Sequence, residues 1–214
     1  ELLLALRWAV FRREAAMELY RLTGETPHRL RSALHPGMDA EEAGQHIREL
    51  LGVSWRGQTE WASAYEALNA WRSAMEAKGV LVFQSSGVQL EEMRGTCIPD
   101  QPLPVIMLNS KDAPHGRIFS LLHEFAHILL HVGGHQTSRM IGARSPEEQP
   151  LEVAANAFAA AALLPAHSFL ATAEHYAGAA GGDDDALRRL AQKVKVSPEV
   201  ILRRLVTLRK APEG

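Results

Sequence analysis

Two histidines and a glutamate stand at a spacing that suits a hydrolytic metal site. His123, Glu124 and His127 form an H-E-x-x-H arrangement within 119–132, FSLLHEFAHILLHV, a stretch without Gly or Pro. On a helix, residues four apart lie about 40° apart around the axis and about 6 Å along it, so both imidazoles project from one face. Glu124 lies about 100° further round, where it could accept a proton from a water at the metal. The pattern predicts a zinc hydrolase with Glu124 as its catalytic base.

Chance seldom produces this arrangement in a chain of this size. For 214 residues that include 10 histidines, random placement gives roughly 0.04 matches. The alternative interpretation is a buried helix whose histidines are merely hydrogen-bonded to their neighbours. We therefore favour the metal site.

Zinc in a hydrolytic site usually has three protein ligands and one water, so the arrangement requires a third donor. His131 lies about 12 Å along the helix from His123 and could share a metal with it only by nearly linear coordination. His135 follows two glycines that are expected to end the helix, and it does not match the spacing in which a third His lies ten residues past the first. Glu152, at the head of the next predicted helix, is the better candidate.

Two segments, VIMLNSKDAPHGRIFSLLHEFAHILLH and EVAANAFAAAALLP, carry a family pattern. The pattern is a strand ending in Asn, a helix with H-E-x-x-H and a later helix reading E-x-x-A-N-x-F-A. Over about 79–165 the chain resembles the ImmA/IrrE family of zinc metallo-endopeptidases. The resemblance implies a zincin-like fold and Glu152 as the third zinc ligand beside His123 and His127. Mn²⁺, Fe²⁺ or another divalent metal could also occupy such a site in a cell.

The resemblance implies a specific protein substrate for the predicted endopeptidase. That substrate would be a helix-turn-helix transcriptional repressor, whose cleavage releases genes for stress response or mobile-element transfer. Relatives often carry a repressor-type helix-turn-helix domain upstream, and we expect that such a segment has been removed from this chain. The alternative function is a DNA- or protein-binding regulatory module with a peptidase fold and little turnover. Glu124 favours the enzyme, because a binding-only protein needs no general base.

The residue that would stabilise the oxyanion is not identified by its sequence context. His115, His175 and Tyr176 are the candidates, because families of this kind often use a Tyr or His from outside the motif.

The overall composition is that of an ordinary globular protein. The chain is 46% hydrophobic and 22% charged, with a net charge of −2, and this balance gives no global sign of nucleic-acid binding. The single cysteine, Cys97, excludes an internal disulfide, and we interpret it as a core or strand residue. No apolar run reaches the ~18 residues needed to span a membrane. We predict a cytoplasmic protein without a membrane partner.

Hydrophobic periodicity predicts a mainly helical α+β fold. Three short strands are expected to form a small, largely antiparallel sheet beside the H-E-x-x-H helix. The stretch Val105–Asn109 runs into that helix and is the expected edge strand, where an extended substrate could pair; the alternative is an internal strand without a substrate role. The loop 133–150 is expected to flank the cleft. The predicted helices outside the motif cover 1–22, 38–51, 61–78 and 151–164.

The C-terminal stretch 187–210 combines a helix-turn-helix pattern with a basic composition. Ser197 and Pro198 mark the start of its second helix as cap and first residue. Eight basic residues stand against one acid, so the local charge is +7. The stretch could bind DNA phosphates, recognise an acidic partner protein with Arg203 and Arg204, or close the core as a solvated helix pair. We divide the chain into an N-terminal helical segment (1–57), a zinc metallopeptidase domain (58–180) and a helix-turn-helix-like segment (181–214).

Overall fold

The structure is a computed structural model that describes residues 1–134, 149–176 and 183–209. Within these ranges it confirms a mainly helical α+β chain with a small sheet beside the H-E-x-x-H helix. The elements are α1 (Leu2–Thr23), α2 (Ala40–Leu51), α3 (Trp55–Glu60), α4 (Ala64–Glu76), β1 (Leu81–Ser85), β2 (Gly95–Ile98), β3 (Val105–Asn109), α5 (Pro114–Val132), α6 (Gln149–Leu163), α7 (Ala166–Ala173), α8 (Asp184–Val194) and α9 (Pro198–Thr207).

The three strands form a mixed sheet in the order β1-β3-β2. β3 pairs in parallel with β1 and antiparallel with β2. The expected largely antiparallel sheet is therefore corrected at one of its two pairings. The choice of Val105–Asn109 as the edge strand is wrong, because this strand lies in the centre. All five of its residues are buried, which is typical of a strand covered on both faces.

The two faces of the central strand contact different helices. Ile106 and Leu108 belong to the main core, together with buried residues of α5. Val105 and Met107 belong to a smaller cluster with Leu2 and Ala9 of α1. This alternation follows from the period of two along a strand. The sheet is consequently sandwiched between α1 and the helix that carries the motif.

The third helix expected over 61–78 begins later, as α4 at Ala64, and a separate short helix, α3, precedes it. α3 ends at Glu60, and α4 begins after Ser63, whose hydroxyl accepts a hydrogen bond from the Glu66 amide at 3.2 Å. A serine cap of this kind starts a new helix. Trp61 lies in the break and packs edge-to-face on Trp71, with ring centroids 6.0 Å apart. The apolar periodicity therefore continues across a real helix boundary.

α2 packs directly against α6 through a glycine. A Cβ built at Gly44 would lie 2.6 Å from the carbonyl carbon of Ala161 and 2.6 Å from the amide nitrogen of Ala162. The small side chains of α6 allow this approach from the other side. This close packing sets the position of the helix that carries Glu152.

A buried polar junction joins four helical segments. The Arg48 guanidinium donates to Gln58 Oε1 and to the Ala162 carbonyl, each at 2.7 Å. The Gln58 amide donates to the carbonyls of Leu163 at 3.0 Å and Val194 at 2.9 Å. Burial lowers the pKa of Arg48 to about 10, so the group stays charged at neutral pH. No pattern in the sequence predicted this junction.

The C-terminal helix pair forms as predicted, with Ser197 capping α9 and Pro198 at its first turn. Its apolar faces belong to the main core, including Leu190, Ile201 and others. That core contains residues from all three of the predicted segments, whose boundaries stay a prediction. Arg204 is 3% exposed, so among the three alternatives for this segment its side chain fits a helix pair that closes the core and does not fit a contact with a partner. Arg203 is exposed and pairs with Glu199 at 2.9 Å.

Among the described residues, no single helix has the length and apolarity of a membrane span. Of the described helix pairs, α6 and α7 together reach that length and apolarity, but they are bent by 52° relative to each other.

Candidate metal centre

α5 presents the two histidines of the motif side by side. Pro114 occupies its first turn, where a missing amide proton costs nothing, and Gly133 follows its last residue. The helix runs unbroken between them, so residues four apart share a face. The Nε2 atoms of His123 and His127 lie 3.1 Å apart. Both rings therefore direct a nitrogen to the same point.

Glu152 reaches that point from the first turn of α6. Its Oε1 lies 3.2 Å from His127 Nε2, and its Oε2 lies 3.6 Å from His123 Nε2. The ligand atoms of the three residues all lie within 4.8 Å of one another. The carboxylate thus bridges both imidazoles from a helix that begins 17 residues after α5 ends.

The distances fit a small divalent ion. Zinc bonds of about 2.0–2.1 Å in a tetrahedral arrangement place neighbouring ligand atoms about 3.3–3.4 Å apart. The measured separations of 3.1, 3.2 and 3.6 Å bracket that value. Two imidazoles and one carboxylate are also a donor set found in zinc hydrolases. The three residues could hold a metal ion, although this donor set does not select zinc over Mn²⁺ or Fe²⁺.

Glu124 lies apart from the three donors and faces the edge strand β2. A Cβ built at Gly95 would lie 3.4 Å from Glu124 Oε1 and 3.3 Å from its Cγ. Cys97, two residues further along β2, lies on the same face of the strand and packs against the main core. Sequence analysis missed both β2 residues. A glycine within a strand was the available signal, since it often marks a close approach of another group.

The strand before α5 ends in a buried asparagine that shapes the approach to the helix. The Asn109 side chain donates to the carbonyls of Val88 at 3.0 Å and Met93 at 2.9 Å. Its Oδ1 accepts from the Lys111 amide at 3.0 Å. These bonds satisfy a fully buried amide and connect the β1–β2 loop to the start of α5.

Among the described histidines, only His123 and His127 belong to the cluster. His131 is absent from the three-residue group, as its helical position predicts. His135 and most of the loop 133–150 lie outside the described residues. His175 and Tyr176, two of the oxyanion candidates, line a separate pocket of about 510 Å³ with Trp55 and Lys193.

The third oxyanion candidate, His115, stands at the start of α5. Its pKa is lowered by partial burial and by the charge of Lys195. The oxyanion role of these three residues stays a prediction.

Comparison with known families decides the relationship. The profile of the family Peptidase_M78, described as the IrrE N-terminal-like domain, matches residues 75–206. The chain belongs to this family. The match includes α5, α6 and the C-terminal helix pair, and it is consistent with a zincin-like fold. Membership suggests a metallopeptidase or a regulator related to IrrE and ImmA.

Solved structures share the fold of this IrrE-like chain. One of them is a Mycobacterium tuberculosis transcriptional regulator, with a TM-score of 0.54 and 19% sequence identity. The alignment covers 80% of this chain and 47% of that chain, so the IrrE-like chain spans about half of the regulator's length. At this identity the likeness concerns the fold alone. No curated protein matches the chain.

Proposed function

We propose that this IrrE-like chain is a zinc-dependent endopeptidase that acts on one specific protein substrate. The observation that supports this best is the joint placement of two groups. Three donor atoms lie within 4.8 Å of one another, and the neighbouring Glu124 carboxylate faces the edge strand instead of joining them. Metal binding alone would not need this additional carboxylate, whereas hydrolysis does.

The proposed roles follow from the geometry. His123, His127 and Glu152 hold the metal. When bound, a divalent ion supplies a Lewis acid that polarises the peptide carbonyl and makes water more acidic. Glu124 accepts a proton from the attacking water and delivers it to the leaving nitrogen. The outer edge of β2, which pairs only with β3 among the described strands, offers main-chain groups to an extended substrate.

The substrate that we propose is a helix-turn-helix transcriptional repressor in stress response or mobile-element regulation, in the cytoplasm. Family membership supports this choice, and the structural neighbour is itself a transcriptional regulator. A second function is a regulatory module that binds DNA or protein with little turnover. The exposed cations of the C-terminal pair that have no described ion-pair partner, Arg189, Lys193 and Arg209, would serve that function.

One experiment separates the two functions. The zinc-loaded protein is incubated with the helix-turn-helix repressor encoded next to its gene, and products are mapped by mass spectrometry. If the chain is a peptidase, we expect a cut at one defined position. That cut should disappear when the metal is chelated and in Glu124→Gln. Binding of the intact repressor without any cut would support the regulatory module.

A further inference from the structure

The edge strand β2 presents two residues to the proposed catalytic base. Residues two apart on a strand point to the same face, so Gly95 and Cys97 share one face of β2. That face contacts α5: a Cβ at Gly95 would lie 3.2 Å from Ser120 Cβ and 3.4 Å from Glu124 Oε1. Cys97 packs at the margin of the main core on this face, and the Glu124 charge contributes to raising the pKa of its thiol. Both residues therefore border the same carboxylate.

The direction of a hydrogen bond between Cys97 and Glu124 follows from the chemistry of the two side chains. An ionised carboxylate offers only acceptors, whereas a thiol offers one S–H donor. Burial, and then the nearby Glu124 charge, raise the pKa of Cys97 well above its ordinary value. Cys97 is therefore a thiol at neutral pH, and its S–H group is the donor that it can offer to Glu124. It is a poor nucleophile in this environment, which argues against a redox role.

We propose that Cys97 and Gly95 are positioning residues for the general base. Cys97 fixes the Glu124 carboxylate through its S–H donor, and Gly95 leaves the space that the carboxylate occupies. The inference rests on the proposed peptidase function and deepens it. A glutamate side chain has three rotatable bonds, and a general base must lie within hydrogen-bond reach of the proton that it accepts. The edge strand thus supplies the contacts that restrict this side chain to one side of α5.

The S–H vibration tests the contact without any activity assay. Because the chain has one cysteine, its S–H stretching band in the infrared, a region free of other protein bands, reports Cys97 alone. Donation to a carboxylate should lower the frequency of this band in the wild type relative to Glu124→Ala. An identical band in both proteins would overturn the inference.

Kinetics test the consequence on the zinc-loaded protein with the neighbouring-gene repressor as substrate. Loss of one net hydrogen bond of about 1 kcal/mol predicts a roughly fivefold lower kcat in Cys97→Ala. KM and zinc content should not change. Cys97→Ser retains a donor and should recover most of kcat, whereas Cys97→Val should not. A purely structural role of Cys97 would predict no recovery with Ser, and a wild-type kcat in Cys97→Ala would refute positioning.

Gly95→Ala tests the second half of the inference. Its methyl group would approach Ser120 and Glu124 closely enough to displace the carboxylate. We expect a larger loss of kcat than in Cys97→Ala, with one zinc per chain retained. Gly87→Ala is the matched control, because a Cβ there would meet only Ser85 Oγ at 3.9 Å. Equal kcat in both alanine variants would contradict the role of Gly95.

Failure of the proposed function is distinguishable from failure of this inference. If the wild type cleaves nothing, the peptidase proposal fails, and the S–H band still decides whether Cys97 donates to Glu124. If the wild type cleaves the repressor and Cys97→Ala cleaves it equally well, only the positioning inference fails.

Discussion

Arg204 of α9 donates a hydrogen bond to Glu41 of α2, although 163 positions separate them in the sequence. The same guanidinium donates from Nε to the Leu164 carbonyl at 2.9 Å. The other Glu41 oxygen accepts from the Ala166 amide at 2.8 Å. This arrangement attaches the C-terminal helix pair to α2 and to the turn that follows the Glu152 helix.

Replacing Arg204 should destabilise the fold. Arg204→Met leaves the Leu164 carbonyl and Glu41 without their charged donor, and we expect a loss of about 2–4 kcal/mol in the free energy of unfolding. Arg203→Met is the matched control, since its pair with Glu199 is exposed and spans one helical turn. That change should cost less than about 0.5 kcal/mol. Urea denaturation measures both, and similar midpoints would contradict the structural role of Arg204.

Metal binding should depend on Glu152 and not on His131. Glu152→Ala removes one of three donors, so the zinc content after dialysis should fall far below one per chain. His131→Ala should retain close to one zinc per chain. Because a ligand that binds only the folded state raises its stability, chelation should lower the Tm of the wild type more than that of Glu152→Ala. If His131→Ala loses its zinc while Glu152→Ala retains it, the proposed donor set is wrong.

Glu124 should affect turnover without affecting metal content. Glu124→Gln preserves the size of the side chain but cannot accept a proton. We expect zinc binding as in the wild type and a decrease in kcat on the order of 10²–10⁴-fold. Metal analysis together with single-turnover cleavage of the repressor provides the comparison. Wild-type turnover in this variant would remove Glu124 from the mechanism.

The contact between α2 and α6 should tolerate no additional carbon atom. In Gly44→Ala the new methyl group meets backbone atoms of Ala161 and Ala162 at 2.6 Å, and backbone cannot rotate away. The helices must separate, at a cost of about 1–3 kcal/mol or more, which exceeds the gain of about 1 kcal/mol in helix propensity.

Gly37→Ala is the control for this change, because a Cβ there would meet no atom within 4 Å. Since α6 carries Glu152, zinc affinity should decrease in Gly44→Ala and not in Gly37→Ala. Equal melting temperatures for the two variants would contradict the tight α2–α6 contact.

The local features of the site were predictable from the sequence. The period of an α-helix alone places His123 and His127 on one face and Glu124 apart from them, since the spacing involves only one helical turn. The same reasoning set His131 aside. The serine cap of α9 was also legible, because capping is decided within four residues.

Only the tertiary structure decided the relationships between distant segments. Strand order depends on long-range pairing, so the sequence could not show that β3 is central and that β2 lies at the edge beside Glu124. Burial of Arg204 likewise depends on Glu41, which lies 163 positions earlier in the sequence. Glu152 was selected by resemblance, but its 3.2 Å approach to His127 requires the packing of α6 on both α2 and α5. Helical periodicity is a property of neighbouring residues, whereas these contacts arise only when separate elements share one core.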